Sequence, residues 1–492
     1  MPNNITPNQA VFIAGNFAPG TGDELVVENP STGEVFARLQ GASLHQVGMA
    51  IDAARAAFDS GCWSGLASAE RLAILHRYME ALNRRADWLS TIVVAESGCP
   101  PRSGTMQAQV ATPLRQAAGI IDLYRSLPEI EENPLPLAER ISPMGQVVQS
   151  LRRYTPIGVV AAIAAYNVPF YTAFWKVLPA LITGNTVVLR PNPLTPLNAL
   201  AFAEAAAEAG LPPGVLNVVL EPGLEGARLM TTHPGVDMVA FTGSSTVGAK
   251  VMEQAAPTMK RLQLELGGKS AQIFLPDAVD KAISAPYIVC VAHAGQGCAL
   301  GTRLFVPADR KAELLEKMAG ALKTIRVGHS EDAETQMGPV INAAAVERCE
   351  RFVDAAQAHG GRLVTGGKRP AHLDCGHFFE PTLLDLPDNS NPAAQEEIFG
   401  PVVSVIGYED IDHAVSMAND SKFGLSGYVF GEDRRQALDV ATRIKSGTVN
   451  VNTGVFSAYA SSGGQRLSGL GRERGIEGIR LYQQVTCLNL GG

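Results

Sequence analysis

The chain has little of what broad macromolecular binders need. Only 18% of its 492 residues are charged, and acidic residues outnumber basic ones by 48 to 40, for a net charge of -8. A surface with no basic excess attracts phosphate weakly, so nucleic acid and membranes are excluded as general partners and a small solute is expected. A disulfide framework is also missing. The seven cysteines (Cys62, Cys99, Cys290, Cys298, Cys349, Cys375 and Cys487) are odd in number and scattered, which points to reduced thiols and a cytoplasmic protein. No apolar run suits a membrane: the longest candidate, 157–182, is broken by Asn167, Pro169, Lys176 and Pro179, and reads as buried core. The opening MPNNITPNQA lacks a basic stretch followed by an apolar one, so no signal peptide is expected. What remains, 46% hydrophobic with 49 Gly and 31 Pro, excludes disorder, collagen and coiled coil, and the length suggests about three units.

Periodicity organises the chain. After a candidate N-cap at Ser43, apolar residues at Leu44, Val47, Ile51, Ala54 and Phe58 share one helical face, and a second helix is expected from about Ser68 to Gly98. Pro-rich polar sequence between Glu129 and Pro156 ends in VVQSLRRY, an expected strand and an excursion from its surroundings. From Val159, β-rich runs (VVAAIA, TVVLR, VLNVVL, DMVAF, RLQLEL) alternate with helical stretches starting near Phe170, Pro196, Leu224 and Ser245. That alternation predicts a parallel sheet with helices on both faces. A second alternation follows from Ala271, and LYQQVTCLNL near the end reads as a strand suited to pairing with the excursion or another subunit.

Four places can carry chemistry. Phe241 to Gly248 (FTGSSTVG) puts glycine and a helix start after a strand, where backbone N–H groups can meet a phosphate, although such a turn is often only a turn. Glu265 ends an apolar strand before Gly267 and Gly268, at the sheet edge where ligands bind. Apolar surroundings would raise its pKa and suit a general base, and a plain ion pair with Lys269 is the alternative. Cys298 lies in the glycine-flanked loop AGQGCALG, open to a substrate, whereas the other six cysteines read as small buried hydrophobes. Asn167, between a strand and a helix, can donate to an oxyanion or simply cap the helix. His372, Cys375 and His377 match no zinc spacing, so no metal is expected.

Taken in order, Asn167, Lys176, Gly243 to Gly248, Glu265-Leu-Gly-Gly-Lys269, Gly-Gln-Gly-Cys298, Glu397-Ile-Phe-Gly-Pro401 and Ser468-Gly-Leu-Gly-Arg-Glu473 resemble the aldehyde dehydrogenase superfamily over nearly the whole chain. The resemblance implies an α/β fold of three domains: a Rossmann-like cofactor domain over 1–129 and 157–266, an α/β catalytic domain over 267–453, and a small β oligomerisation domain over 130–156 and 478–492. Residues 454–477 would form the substrate-entrance segment. It implies oxidation of an aldehyde with NAD, NADP being possible, in a homodimer or homotetramer. Cys298 would attack, Asn167 and the Cys298 N–H would hold the oxyanion, and Glu265 would activate the water that releases the acid. Lys176 and Glu473 would relay protons. Gly243, Ser244, Gly248, Leu266, Glu397 and Phe399 would hold the cofactor.

The chain departs from the family pattern in places. Arg190 stands where Lys is usual, and Pro193 where NAD-selective members often carry Glu, so Arg190 could bind the 2′-phosphate of NADP. Gly297 precedes Cys298 where many relatives have a side chain, and Ser462 replaces an entrance Phe. Val168, Phe170, Tyr171, Phe174, Trp175, Phe456 and Ser462 are the expected pocket residues. Trp175 in place of an Arg that semialdehyde enzymes use favours an apolar aliphatic, terpenoid or aromatic aldehyde. A betaine-aldehyde-type or semialdehyde substrate is the alternative. A cofactor-free cysteine hydrolase and a binding protein that kept the fold without the chemistry are the competing classes; the FTGSSTVG and EEIFGP motifs weigh against the first and the joint presence of Asn167, Glu265 and Cys298 against the second.

Overall fold

A computed structural model describes residues 10–454 and 457–491. Two large sheets carry the chain. In the first, the parallel strands Arg261–Glu265, Met238–Thr242, Val159–Ile163, Thr186–Arg190 and Leu216–Val219 lie side by side in that order, so the chain reverses direction of growth between Met238–Thr242 and Val159–Ile163. Val159–Ile163 and Thr186–Arg190 are buried throughout, as strands covered on both faces must be. Gly469–Leu470 closes one edge antiparallel to Arg261–Glu265, and at the other Val11–Ile13 pairs antiparallel with Leu216–Val219 and carries Asn16–Ala18 as the outermost strand. The second sheet runs Arg362–Thr365, Thr382–Leu386, Val402–Tyr408, Arg303–Pro307, Ala271–Phe274, Ser426–Phe430 and Thr448–Val451, parallel except at its first pair. Each sheet has its own apolar core.

The excursion forms a separate three-stranded sheet, in which Val148–Pro156 sits between Ile130–Glu132 and Gln483–Gly491. The expected alternation is therefore present, with differences of detail. Residues Glu24–Asn29 and Glu34–Gln40 add a hairpin before the first helix, and Thr382–Leu386 is an unforeseen strand of the second sheet. The Ser43 cap is a complete capping box with Gln46, but Leu44 in the first turn faces solvent while Val47, Ala50, Ile51 and Ala54 are buried. The expected long helix is two, Ser68–Arg84 and Ala86–Ser97, broken at Arg85, whose backbone leaves helical geometry and whose guanidinium binds Glu204 and Glu208. Cys62, Cys375 and Cys487 are exposed, in a turn, a loop and an outer strand, which corrects the expectation that they are buried; Cys99, Cys290 and Cys349 are buried. Among the described residues no helix is long and apolar enough to cross a membrane.

Candidate active site

The C-terminal strand ends of the first sheet meet the N-terminal strand ends of the second at the Cys298 loop, which leads into Arg303–Pro307 and packs on the segments before Ala271–Phe274 and Val402–Tyr408. Helix Ala285–Val291 ends in a tight turn, where His293, Ala294 and Gly295 all take left-handed backbone angles. Gly295 is the residue that must be small: a Cβ there would stand 2.1 Å from the Gly400 carbonyl. The turn delivers Cys298 half-buried, with Gly268 of the Glu265 loop pressed against its carbonyl, where a Cβ would come within 2.5 Å. Gln296 braces the loop. Its carbonyl accepts the Asn167 amide at 2.8 Å, its side-chain oxygen accepts the Ile341 N–H at 2.9 Å, and its amide donates to the His293 carbonyl at 3.1 Å. Asn167 is therefore not a helix cap. Val168 occupies that position in helix Pro169–Ile182, with no side-chain bond. One Nδ2–H holds the Cys298 loop and the second is left for a ligand.

Glu265 is likewise not paired with Lys269. Its Oε1 is buried without a hydrogen-bond partner, and so is the Lys269 ammonium. Burial, with Glu473 adding repulsion, lifts the Glu265 carboxyl well above the usual carboxylate range, and Lys176, Arg472 and Arg474 oppose that rise. Burial, reinforced by Glu397, Glu265 and Glu473, pushes the Cys298 thiol up to about 12. Lys269 is drawn down to about 7 by burial, with Arg303 adding to it. Lys176 and Glu473 form a buried ion pair at 2.7 Å, the lysine fully enclosed in an apolar helix. Glu473 is fixed by backbone exchange with Ser462, N–H to carbonyl at 2.8 and 2.7 Å, which gives the half-buried Ser462 a structural part.

Ser244 caps helix Ser245–Ala255 by accepting the Val247 N–H, and next to it the Thr242 hydroxyl is buried without a partner. Gly248 lies against Leu266, where a Cβ would meet the leucine at 2.6 Å. The helix start can thus come close to the strand end. Across the cleft, Glu397 accepts the Gly268 N–H at 2.8 Å, and Phe399 sits in left-handed backbone with its ring edge-on to Tyr166 at 5.9 Å. Arg348, which periodicity does not single out, holds that strained turn through the Ile398 and Phe399 carbonyls at 2.6 and 3.1 Å. A glycine-rich helix start, an orphaned hydroxyl and a carboxylate opposite fit a dinucleotide.

The pocket places expected of Phe170 and Phe174 and the open guanidinium expected of Arg190 are not what the fold gives. Phe170 and Phe174, four residues apart, share the helix face turned into the core, with the Phe170 ring tilted against that of Phe202 at 5.0 Å, so neither lines a pocket. Val168 and Tyr171 are the partly exposed residues there, with Trp175 buried edge-on behind Tyr171 at 6.1 Å and its indole N–H unpartnered. Arg190 does not present an open fork: it is buried, its Nε donates to Glu221 at 2.7 Å and its Nη2 is held by the Gly223 carbonyl. Phe456 lies outside the described residues. His372 and His377, set apart as metal candidates, face the Val327 carbonyl at 3.2 Å and Glu28 respectively.

The model of the aldehyde dehydrogenase family matches residues 17–488. The chain is 38% identical over 488 residues to geranial dehydrogenase of Castellaniella defragrans, covering 99% of each. The crystal structure of a mutant aldehyde dehydrogenase C from Pseudomonas syringae with NAD+ and octanal superposes with a TM-score of 0.89 at 36% identity, over 98% of this chain and 96% of that one. Betaine aldehyde dehydrogenase of Staphylococcus aureus with NAD+ gives 0.90 at 33% identity, over 98% and 94%. These likenesses, on a Rossmann-like sheet facing a second α/β sheet with a half-buried thiol, a buried carboxyl and a side-chain amide at the junction, place the chain among aldehyde-oxidising enzymes. The chain belongs to the aldehyde dehydrogenase family.

Proposed function

We propose that the protein oxidises an apolar aldehyde to its carboxylic acid with NAD+, through a thioester on Cys298. The observation that carries this reading is the Asn167 amide anchored on Gln296, two residues before the nucleophile, with a second N–H still to give. The Cys298 proton has to leave before attack, because burial holds the thiol protonated at neutral pH, and Glu265, with its raised pKa, is the acceptor at hand. Sulfur then bonds to the carbonyl carbon, and the Asn167 N–H and the Cys298 N–H take the charge on oxygen. When bound, NAD+ supplies the hydride acceptor; Ser244 and Gly248 would hold its phosphates and Glu397 its nicotinamide ribose. Once its first proton has passed to Glu473 and Lys176, Glu265 accepts another from water as the water attacks the thioester. The C–S bond breaks, the acid leaves, and Lys176 and Glu473 pass the proton onward.

Val168, Tyr171 and Trp175 offer a substrate a wall without a cation. The likeness to geranial dehydrogenase and to the octanal complex supports the same class. Each buried methylene should add about 0.8 kcal/mol until the pocket is full. The Tyr171 and Trp175 rings, set edge to face, also favour a second reading, a trimethylammonium aldehyde held by cation–π attraction. The exposed Val485, Leu488 and Leu490 of Gln483–Gly491 suit a homodimer or homotetramer, and the free thiols suit the cytoplasm. The test is a panel of geranial, octanal, hexanal, benzaldehyde, betaine aldehyde and succinic semialdehyde, followed by the appearance of NADH. The apolar aldehydes should give the highest kcat/KM. Preference for succinic semialdehyde would refute the pocket assignment, and preference for betaine aldehyde would select the second reading.

A further inference from the structure

In a Rossmann-like sheet the residue at the end of the second parallel strand stands beside the adenosine ribose. An acidic side chain there accepts from the 2′-hydroxyl of NAD, whereas an arginine nearby accommodates the 2′-phosphate of NADP. By chain order the second strand is Thr186–Arg190, so the residue in that place is an arginine, and Pro193 just beyond it supplies no carboxylate. Taken alone, this end of the strand belongs to an NADP enzyme.

The neighbouring strand changes the outcome. Glu221, two residues beyond Leu216–Val219, reaches back and accepts the Arg190 Nε–H at 2.7 Å through Oε2. Its Oε1 accepts the Gly226 N–H at 2.8 Å, in the first turn of helix Glu225–Thr232. The Gly223 carbonyl takes the Arg190 Nη2, and Nη1 reaches only the Pro191 carbonyl at 3.5 Å. Both side chains are almost fully enclosed, 4% and 7% exposed. The guanidinium charge is therefore already neutralised, and two of its three nitrogens are engaged. A 2′-phosphate would have to draw Arg190 from Glu221, which strands a buried carboxylate, or lie against that carboxylate as a like charge. A ribose hydroxyl does neither.

We propose that the Arg190–Glu221 pair is the dinucleotide selector of this protein and makes it an NAD enzyme despite the missing carboxylate at Pro193. The inference rests on the cofactor use proposed above and adds Glu221 as the residue that decides it. Its test is equilibrium binding of NAD+ and NADP+ without aldehyde, by titration calorimetry. Wild-type protein should bind NAD+ at least about tenfold more tightly than NADP+. Glu221→Gln removes the charge and releases the guanidinium, so the NADP+ dissociation constant should fall by about tenfold or more while that for NAD+ moves less than about threefold. Glu221→Asp, which keeps the charge but withdraws it by one methylene, should fall between. The double substitution Arg190→Gln with Glu221→Gln should lose the gain for NADP+. Equal affinities in the wild-type protein overturn the proposal whether or not any variant folds, as does a ratio that Glu221→Gln leaves unmoved. Failure of the wild-type protein to bind either dinucleotide would instead overturn the proposed function itself.

Discussion

Replacing Lys176 by Met should cost more than any surface substitution and should act on the chemistry in a direction set by charge. The ammonium has no exposure to water and lies 2.7 Å from a Glu473 carboxylate whose side chain is 9% exposed. Removing one member of such a pair leaves the other buried and uncompensated, a loss of about 3–5 kcal/mol, whereas replacing both with apolar residues is often close to neutral. Lys176→Met and Glu473→Met should each destabilise by that amount and the double variant by far less, a coupling of about 3 kcal/mol. At roughly 2.1 cal/mol/K of unfolding entropy per residue, a chain of 492 residues loses about 3–5 K in Tm for each single change. Urea and thermal unfolding followed by circular dichroism read the stability cycle. The pH profile of kcat reads the chemistry. Lys176 favours ionisation of Glu265 and Glu473 opposes it, so the alkaline rise in kcat should move to higher pH in Lys176→Met and to lower pH in Glu473→Met. A purely structural pair would shift both profiles alike, and that result, or additive single losses, would refute the reasoning.

Cys298→Ala should abolish aldehyde oxidation while NAD+ still binds, measured by turnover beside calorimetry; near-wild-type turnover would end the covalent route. Glu265→Gln should lose the burst of NADH in stopped flow as well as steady-state turnover, together with the alkaline rise, because Glu265 takes the Cys298 proton and its raised pKa makes the base form appear only as pH increases. A burst kept at the wild-type rate would show that a group other than Glu265 deprotonates Cys298. His293 is buried with both ring nitrogens unpartnered, and burial draws its pKa down to about 4. Between about pH 6.5 and 4 the unfolded chain binds a proton that the folded one refuses, so stability falls as pH drops through that window. His293→Asn, which tolerates the left-handed backbone, should remove roughly 2 kcal/mol of the loss between pH 6.5 and 5, and an unchanged slope in urea midpoints would contradict this. Trp175→Arg should raise kcat/KM for succinic semialdehyde at the expense of octanal; no change in their ratio would remove Trp175 from the pocket.

The two alternating sheets were legible because their strands are buried on both faces and read as unbroken apolar runs, as in Val159–Ile163 and Thr186–Arg190. The hairpin Glu24–Asn29 with Glu34–Gln40 was not, since it packs on one side only and its sequence mixes charge with aliphatics. The order of Asn167, Glu265 and Cys298 along the chain was readable from motifs. The braces around them were not: the Gln296 carbonyl accepts the Asn167 amide, and Arg348 donates to the Ile398 and Phe399 carbonyls, contacts between residues brought near only by folding. A hint of Gln296 lay in its place two residues before the thiol. The pocket helix shows the same limit. Four aromatics at helical spacing look alike in sequence, and only tertiary packing turns Phe170 inward to Phe202 with Phe174 beside it and leaves Tyr171 at the edge. Glu221 gave no sign that it would reach Arg190, because the contact crosses from one strand end to the next.

The strand Gly469–Leu470 closes the edge of the first sheet beside Glu265, and the Ser468 carbonyl accepts the Leu266 N–H at 3.0 Å. This ties the active site to the timing of synthesis. On a ribosome adding about 5–20 residues per second, Cys298 emerges well before residues 468–473, the segment that pins the Glu265 strand and carries the partner of Lys176. Through that interval the nascent chain has a thiol and a carboxyl but neither the strand that fixes the carboxyl nor the carboxylate that neutralises the buried ammonium. In the proposed mechanism the nucleophile would therefore be synthesised before the segment that sets the base in place.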